Sequence, residues 1–157
     1  CAKIGMSIPS DSLIDLIKRH EGLSLTPYKC TSGKRTIGYG HNIDDNPLTG
    51  FIDFYFIQHN SITAEMAEYL LDRDIISAGK WAAIYTVTWP QLSQNRKNVI
   101  ISMIFNLGID GYLSFKLMRK ALENADYKTA AEEMKNSLWY QQVGSRAEEL
   151  IQMMKDG

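Results

Sequence analysis

Residues 23–43 break an otherwise helical pattern, and that break constrains the fold more than any other feature of the chain. Thr26-Pro27, Thr31-Ser32-Gly33 and the pair Gly38 and Gly40 punctuate the stretch, with Tyr28, Ile37 and Tyr39 between them as strand formers. The simplest result is a small antiparallel hairpin sheet of two or three strands. On both sides apolar residues return at helical spacing, so the expected class is α+β, with a small sheet at one end and helices at the other.

Ahead of the sheet, residues 10–21 read as a short helix. Ser10 or Asp11 can cap it, Leu13, Leu16 and Ile17 share a face, and Gly22 stands where a left-handed C-cap is wanted. After the sheet, residues 42–50 form a turn-rich loop, and the apolar run FIDFYFIQ predicts a short buried helix or strand. Thr63 caps a helix running to about Thr86, with Met66, Leu70, Ile75, Ala78 and Trp81 near helical spacing. Trp89-Pro90 ends that region. Three further apolar faces follow: Val99 to Leu107, stopping at Gly108; Phe115, Met118 and Leu122; and Tyr127, Ala130, Ala131 and Met134. Ser145-Arg146-Ala147-Glu148 predicts a capping box opening the last helix. The expected organisation is a sheet lobe of about 22–62, a connecting helix of about 63–86, and a helical lobe of 10–21 plus 87–157.

A chain of 157 residues suits one compact domain or two small lobes. Its net charge of −1 singles out neither nucleic acid nor a membrane surface as partner. No apolar span is long enough to cross a membrane. The opening CAKIGMSIPSDS has neither an initiator Met nor a signal-like apolar core, so a trimmed chain is expected. Cys1 and Cys30 are too few for a disulfide framework or a metal site, leaving two free thiols or one internal bridge.

The chemistry-bearing residues gather around the sheet. Glu21 closes the first helix beside partly negative carbonyls, which raises rather than lowers a carboxyl pKa. A carboxylic acid acting on a glycosidic bond also needs something to hold or activate water opposite it. Cys30 and Thr36 follow Glu21 in the turn and strand. The segments Glu21-Gly22-Leu23-x-Leu25-x-x-Tyr28-x-Cys30 and Thr36-Ile37-Gly38-x-Gly40-His41 resemble the active-site signature of the phage-type lysozymes, glycoside hydrolase family 24. Phe105-Asn106-Leu107-Gly108, Gly111 and Phe115 are similar to that family's core helix and following turn. Ser137-Leu138-Trp139-Tyr140-Gln141-Gln142 is similar to its late Trp-Tyr motif.

The resemblance implies a lysozyme-like fold and a catalytic set of Glu21, Cys30 and Thr36. Glu21 is the general acid, and Thr36 holds the attacking water. It also implies that Asn42, Phe105 and Asn106 line the sugar-binding cleft, that Arg146 pairs with the acid, and that His41 pairs with Asp74. The family usually carries Asp where Cys30 stands. An ordinary thiol is mostly neutral at pH 7, although Lys29, Lys34 and Arg35 are near enough in sequence to lower its pKa. Three readings of Cys30 stay open: thiol or thiolate assisting the water, a thiol regulated by oxidation with Cys1 as partner, and a dead site.

The implied activity is an endolysin-type muramidase that cleaves the β-1,4 bond between N-acetylmuramic acid and N-acetylglucosamine in peptidoglycan, with inversion. Retention through a Cys30 nucleophile is the less favoured route. The rival from another class is a cell-wall-binding or redox-regulated protein that kept the fold with weakened chemistry. Chitinase-like activity and a module of a larger phage tail or secreted protein are further alternatives. No cofactor or metal is implied. The expected partner is the peptidoglycan glycan strand, met by a monomer in the bacterial periplasm or outside the cell, with no nucleic acid and no stable membrane insertion.

Overall fold

The computed structural model describes residues 11–157. Cys1 and Ser10 lie outside the described residues, so the cap expected from Ser10 and the expected bridge from Cys1 lie there too. The protein is mainly helical with one three-stranded antiparallel sheet, the α+β class expected. The elements run α1 (Asp11–Glu21), β1 (Ser24–Lys29), β2 (Arg35–Gly38), β3 (His41–Asn42), α2 (Gly50–His59), α3 (Ala64–Tyr85), a 3-10 turn at Trp89–Gln91, α4 (Gln94–Leu113), α5 (Lys116–Glu123), α6 (Tyr127–Lys135), α7 (Leu138–Val143) and α8 (Ser145–Asp156). The chain divides inside α3 into two compact units, Cys1–Ile76 and Ser77–Gly157, and α1 falls in the first.

In the first unit, Leu13, Leu16 and Ile17 on α1 are buried. The helix stops because Gly22 adopts φ 71° and its N–H returns to the Lys18 carbonyl at 2.9 Å. The sheet order is β1-β2-β3, with Tyr28 opposite Thr36 and Thr36 opposite Asn42. Tyr39, expected in a strand, sits instead in the turn between Gly38 and Gly40, both at positive φ. Ile37, Ile43, Leu48, Ile62, Met66, Ala67 and Leu70 form the core between the sheet and the first half of α3. Gly38 turns the chain away from this core at φ 69°, a conformation that L-residues rarely adopt. Thr63 caps α3, its Oγ1 accepting from the Met66 N–H at 3.1 Å. The helix has 22 residues and is about 33 Å long.

The run FIDFYFIQ does form a helix, α2, but none of its residues is buried. Ile52, Tyr55 and Phe56 pack on the core, whereas Phe51, Phe54 and Ile57 are 72%, 59% and 73% exposed. A surface helix can cover only one face, and this run is apolar all round. Trp81 also differs from expectation. It points outward, stacked on Tyr85 with ring centroids 5.9 Å apart.

In the second unit, Val99, Ile100, Met103 and Ile104 of α4 are buried, and the helix breaks at Gly108, φ 77°. Met118 and Leu122 of α5, Met134 of α6 and Leu150 of α8 complete this core. Ser93, Asp126 and Ser137 cap α4, α6 and α7 through their side chains. The expected capping box on α8 is absent. Gly144 is the single residue between α7 and α8 and serves as the cap itself, with φ 62° and ψ −126°. Ser145 is already helical, and the Glu148 carboxylate accepts from the Tyr140 hydroxyl instead. Among the described residues, no single helix is long and apolar enough to cross a membrane.

Candidate active site

The β1–β2 hairpin is closed by a tight turn whose geometry explains why Cys30 and Thr36 meet. Gly33 N–H bonds to the Cys30 carbonyl at 2.8 Å, and Cys30 N–H to the Lys34 carbonyl at 3.0 Å. Gly33 takes φ 83°, the left-handed residue such a three-residue loop needs. Strand alternation puts Cys30 on the face shared by Tyr28 and its partner Thr36. The Lys34 carbonyl also accepts from Thr36 Oγ1 at 3.1 Å. One carbonyl therefore anchors the amide of Cys30 and the hydroxyl of Thr36. Thr36 is buried, and Cys30 is half-buried.

The Cys30 Sγ lies 3.0 Å from Ser32 Oγ. That hydroxyl is the largest influence on the thiol. Burial opposes ionisation, but the backbone of Ser32 and Lys34 and the Thr36 hydroxyl add to the Ser32 effect, and the pKa falls to about 7. The neighbouring cations expected to do this are otherwise engaged. Lys34 Nζ contacts Asp45 at 2.6 Å, and Arg35 Nε contacts Asp44 at 3.0 Å. Hydroxyl and amide dipoles acidify this thiol more than its basic neighbours do.

Glu21, half-buried at the end of α1, lies against the turn between β2 and β3. A Cβ on Gly40 would stand 2.8 Å from Glu21 Oε1 and 3.2 Å from its Cδ, so only glycine leaves the carboxylate where it is. Gly40 also takes φ 76°. The turn that follows Thr36 is thus shaped around the acid.

His41 is buried on β3, with Nδ1 2.7 Å from Asp74 Oδ2 on α3 and Nε2 2.8 Å from the Asn46 carbonyl. Burial disfavours its charge, but the hydrogen bond and charge of Asp74 and the Asn46 carbonyl outweigh that, so its pKa is raised. With acceptors at both nitrogens, the ring is held best as an imidazolium. Asn42 turns its amide inward to its own loop, donating to Asp45 Oδ2 at 3.1 Å and accepting from the Asp45 N–H at 2.9 Å.

Phe105, Asn106 and Arg146 belong to the second unit. Asn106 is exposed, and its Oδ1 accepts from Trp139 Nε1 at 3.2 Å. Phe115 meets the edge of Trp139 at 6.1 Å. Phe105 is half-buried just before Asn106, and Arg146 is half-buried in the first turn of α8. Within the first unit, the structure brings Cys30 and Thr36 together and couples His41 to Asp74. The sequence reading missed Ser32 and the role of Gly40. The signals available were a hydroxyl two residues after Cys30 and a second glycine flanking Tyr39. Among the described residues, no group of three or more His, Cys, Asp or Glu stands ready to hold a metal ion.

The family model of phage lysozymes matches residues 18–154. The chain is 30% identical over 161 residues to a protein of Dictyostelium discoideum named "Probable T4-type lysozyme 1", covering 93% of this chain and 95% of that one. It is 37% identical over 128 residues to an endolysin of Acyrthosiphon pisum secondary endosymbiont phage 1, covering 82% of this chain and 77% of the endolysin. It is also 28% identical to the pre-baseplate central spike protein of Enterobacteria phage T4, where the match spans 95% of this chain but only 28% of the spike protein.

Proposed function

Because the chain belongs to the phage lysozyme family, we propose that it is a muramidase, cleaving the β-1,4 bond between N-acetylmuramic acid and N-acetylglucosamine with Glu21 as general acid and Cys30 and Thr36 serving the water. Glu21 gives its proton to the glycosidic oxygen as the bond from the anomeric carbon to that oxygen breaks. Water attacks the anomeric carbon from the opposite face, and its proton passes to the Cys30 thiolate. Thr36 bonds to the water and orients it. One attack from the far face gives inversion.

The observation that carries this reading is the hairpin geometry joining Cys30 to Thr36 through the Lys34 carbonyl, with a thiol pKa of about 7. At neutral pH about half of such a thiol is anionic. Thiolate then supplies the negative charge that aspartate supplies elsewhere in the family, and its proton affinity suits a general base near pH 7. This favours a working Cys30 over a dead site. His41 and Asp74 tie β3 to α3, so their role is structural. Asn42, Phe105 and Asn106 act in sugar binding and Arg146 supports the acid, as the family positions imply. In Asn42 that role belongs to the loop it shapes, since its amide is already engaged.

Turbidity loss of outer-membrane-stripped cells tests the assignment, with Glu21→Gln, Cys30→Ser and Cys30→Asp beside the parent. Glu21→Gln is expected to be inert, Cys30→Ser strongly slowed and Cys30→Asp lytic. Loss in Glu21→Gln alone would make Cys30 dispensable. Lysis by Cys30→Asp with an inert parent would make the parent a wall binder.

A further inference from the structure

The turn between β1 and β2 needs no side chain to close it. Its two backbone bonds and the left-handed Gly33 already fix the chain. Ser32 is exposed at this turn, yet its hydroxyl is directed back along the loop onto the Cys30 sulfur at 3.0 Å. A thiol can donate to a hydroxyl oxygen, but a thiolate can only accept. When Cys30 loses its proton, the contact becomes a charge-assisted O–H to sulfur bond, which strengthens because the sulfur is then charged. The Thr36 hydroxyl also lowers the thiol's pKa, but less than Ser32 does, and it donates to the Lys34 carbonyl as well.

We propose that Ser32 is a positioning residue for Cys30, its hydroxyl holding the sulfur in its anionic form and in one orientation toward the attacking water. The catalytic half of this assignment rests on the muramidase reading given above. Lys34 also senses the charge on Cys30, but the charged groups of the hairpin act on the sulfur less than Ser32 does. Lys34 is held by Asp45 and Arg35 by Asp44, while Lys29 ends β1 just before Cys30 and alternation sends its side chain to the other face. Ser32 touches neither the water nor the sugar in this scheme and acts only through Cys30. The direction of the thiol's pKa, with the Ser32 hydroxyl as its largest cause, agrees with the geometry.

The test follows iodoacetamide alkylation of Cys30 against pH by peptide-resolved mass spectrometry, so that Cys1 is read separately. It is run on the parent, Ser32→Ala and Ser32→Thr, beside the pH profile of peptidoglycan hydrolysis. The parent midpoint is expected at about 7. In Ser32→Ala it should rise by about one pH unit, the acidic limb of hydrolysis should move the same way, and Ser32→Thr should restore both. An unmoved midpoint in Ser32→Ala overturns the proposal, as does failure of Ser32→Thr to restore it. A midpoint that moves in Ser32→Ala while the parent hydrolyses no wall upholds the Ser32–Cys30 link and overturns the muramidase reading.

Discussion

In the proposed reaction Cys30 takes the place that the resemblance gives to a carboxylate, which would change the proton equilibrium that governs the rate. The general base of that reaction must be deprotonated, so activity should rise as pH passes through about 7. Cys30→Asp should move the rising limb to lower pH, and Cys30→Ser should lower the neutral-pH rate by about 100-fold, both read from initial rates on purified peptidoglycan. An unchanged rising limb in Cys30→Asp would remove Cys30 from the water step. The oxidation reading has its own check, activity with and without reductant beside the non-reducing mass. Gly40→Ala should disturb the carboxylate of Glu21 as well. A methyl there meets Glu21 Oε1 at 2.8 Å and forces an L-residue to φ 76°. The carboxylate end is flexible and should move, lowering kcat about tenfold with KM little changed, and the backbone strain should cost about 1–2 kcal/mol of stability. Glu21, Cys30 and Thr36 stand out in the sequence through the resemblance of their segments to the family signature. Ser32 and Gly40 do not, because their roles come from a turn's path in space rather than from a pattern along the chain.

Among the elements, β3 and α2 show opposite ways of spending polar and apolar residues. His41 is buried yet held by Asp74 and Asn46, and its folded pKa lies above the ordinary 6.5. The folded state therefore binds that proton more tightly than the unfolded chain does. The resulting stabilisation is full below pH 6.5 and is lost as pH rises through the raised folded value. The Tm gap between the parent and His41→Gln should shrink from about pH 5 to about pH 9. A gap that stays constant or widens would contradict the assignment. On α2 the expected outcome is a contrast. Replacing Phe51, Phe54 or Ile57 by Ser should change stability by less than about 0.5 kcal/mol, whereas Phe56→Ala, on the packed face, should cost about 1–2 kcal/mol, both read by denaturant melts. The run's apolar content was plain in the sequence. Its half-exposed state was not, since a run apolar on every side carries no periodic signal for which face packs. The capping box failed for a related reason. Ser145 and Glu148 have the right spacing, but the one-residue link at Gly144 starts α8 before Ser145 can serve as cap.

At the scale of the whole molecule, the α+β class was readable because one glycine-punctuated stretch interrupts helical periodicity. The division inside α3 was not readable, because the helix itself runs unbroken from Ala64 to Tyr85. The family match extends over residues 18–154, so Glu21 and the residues of the second unit fall within one matched stretch. In the proposed reaction this chain cuts the muramic-acid side of the glycan repeat with Glu21 as acid. Reducing ends released from purified peptidoglycan, identified by borohydride labelling and mass spectrometry, decide whether it does. The parent should release N-acetylmuramic acid reducing ends, and Glu21→Gln should lower that release by about 1,000-fold or more. N-acetylglucosamine reducing ends, or equal release by parent and variant, would contradict it.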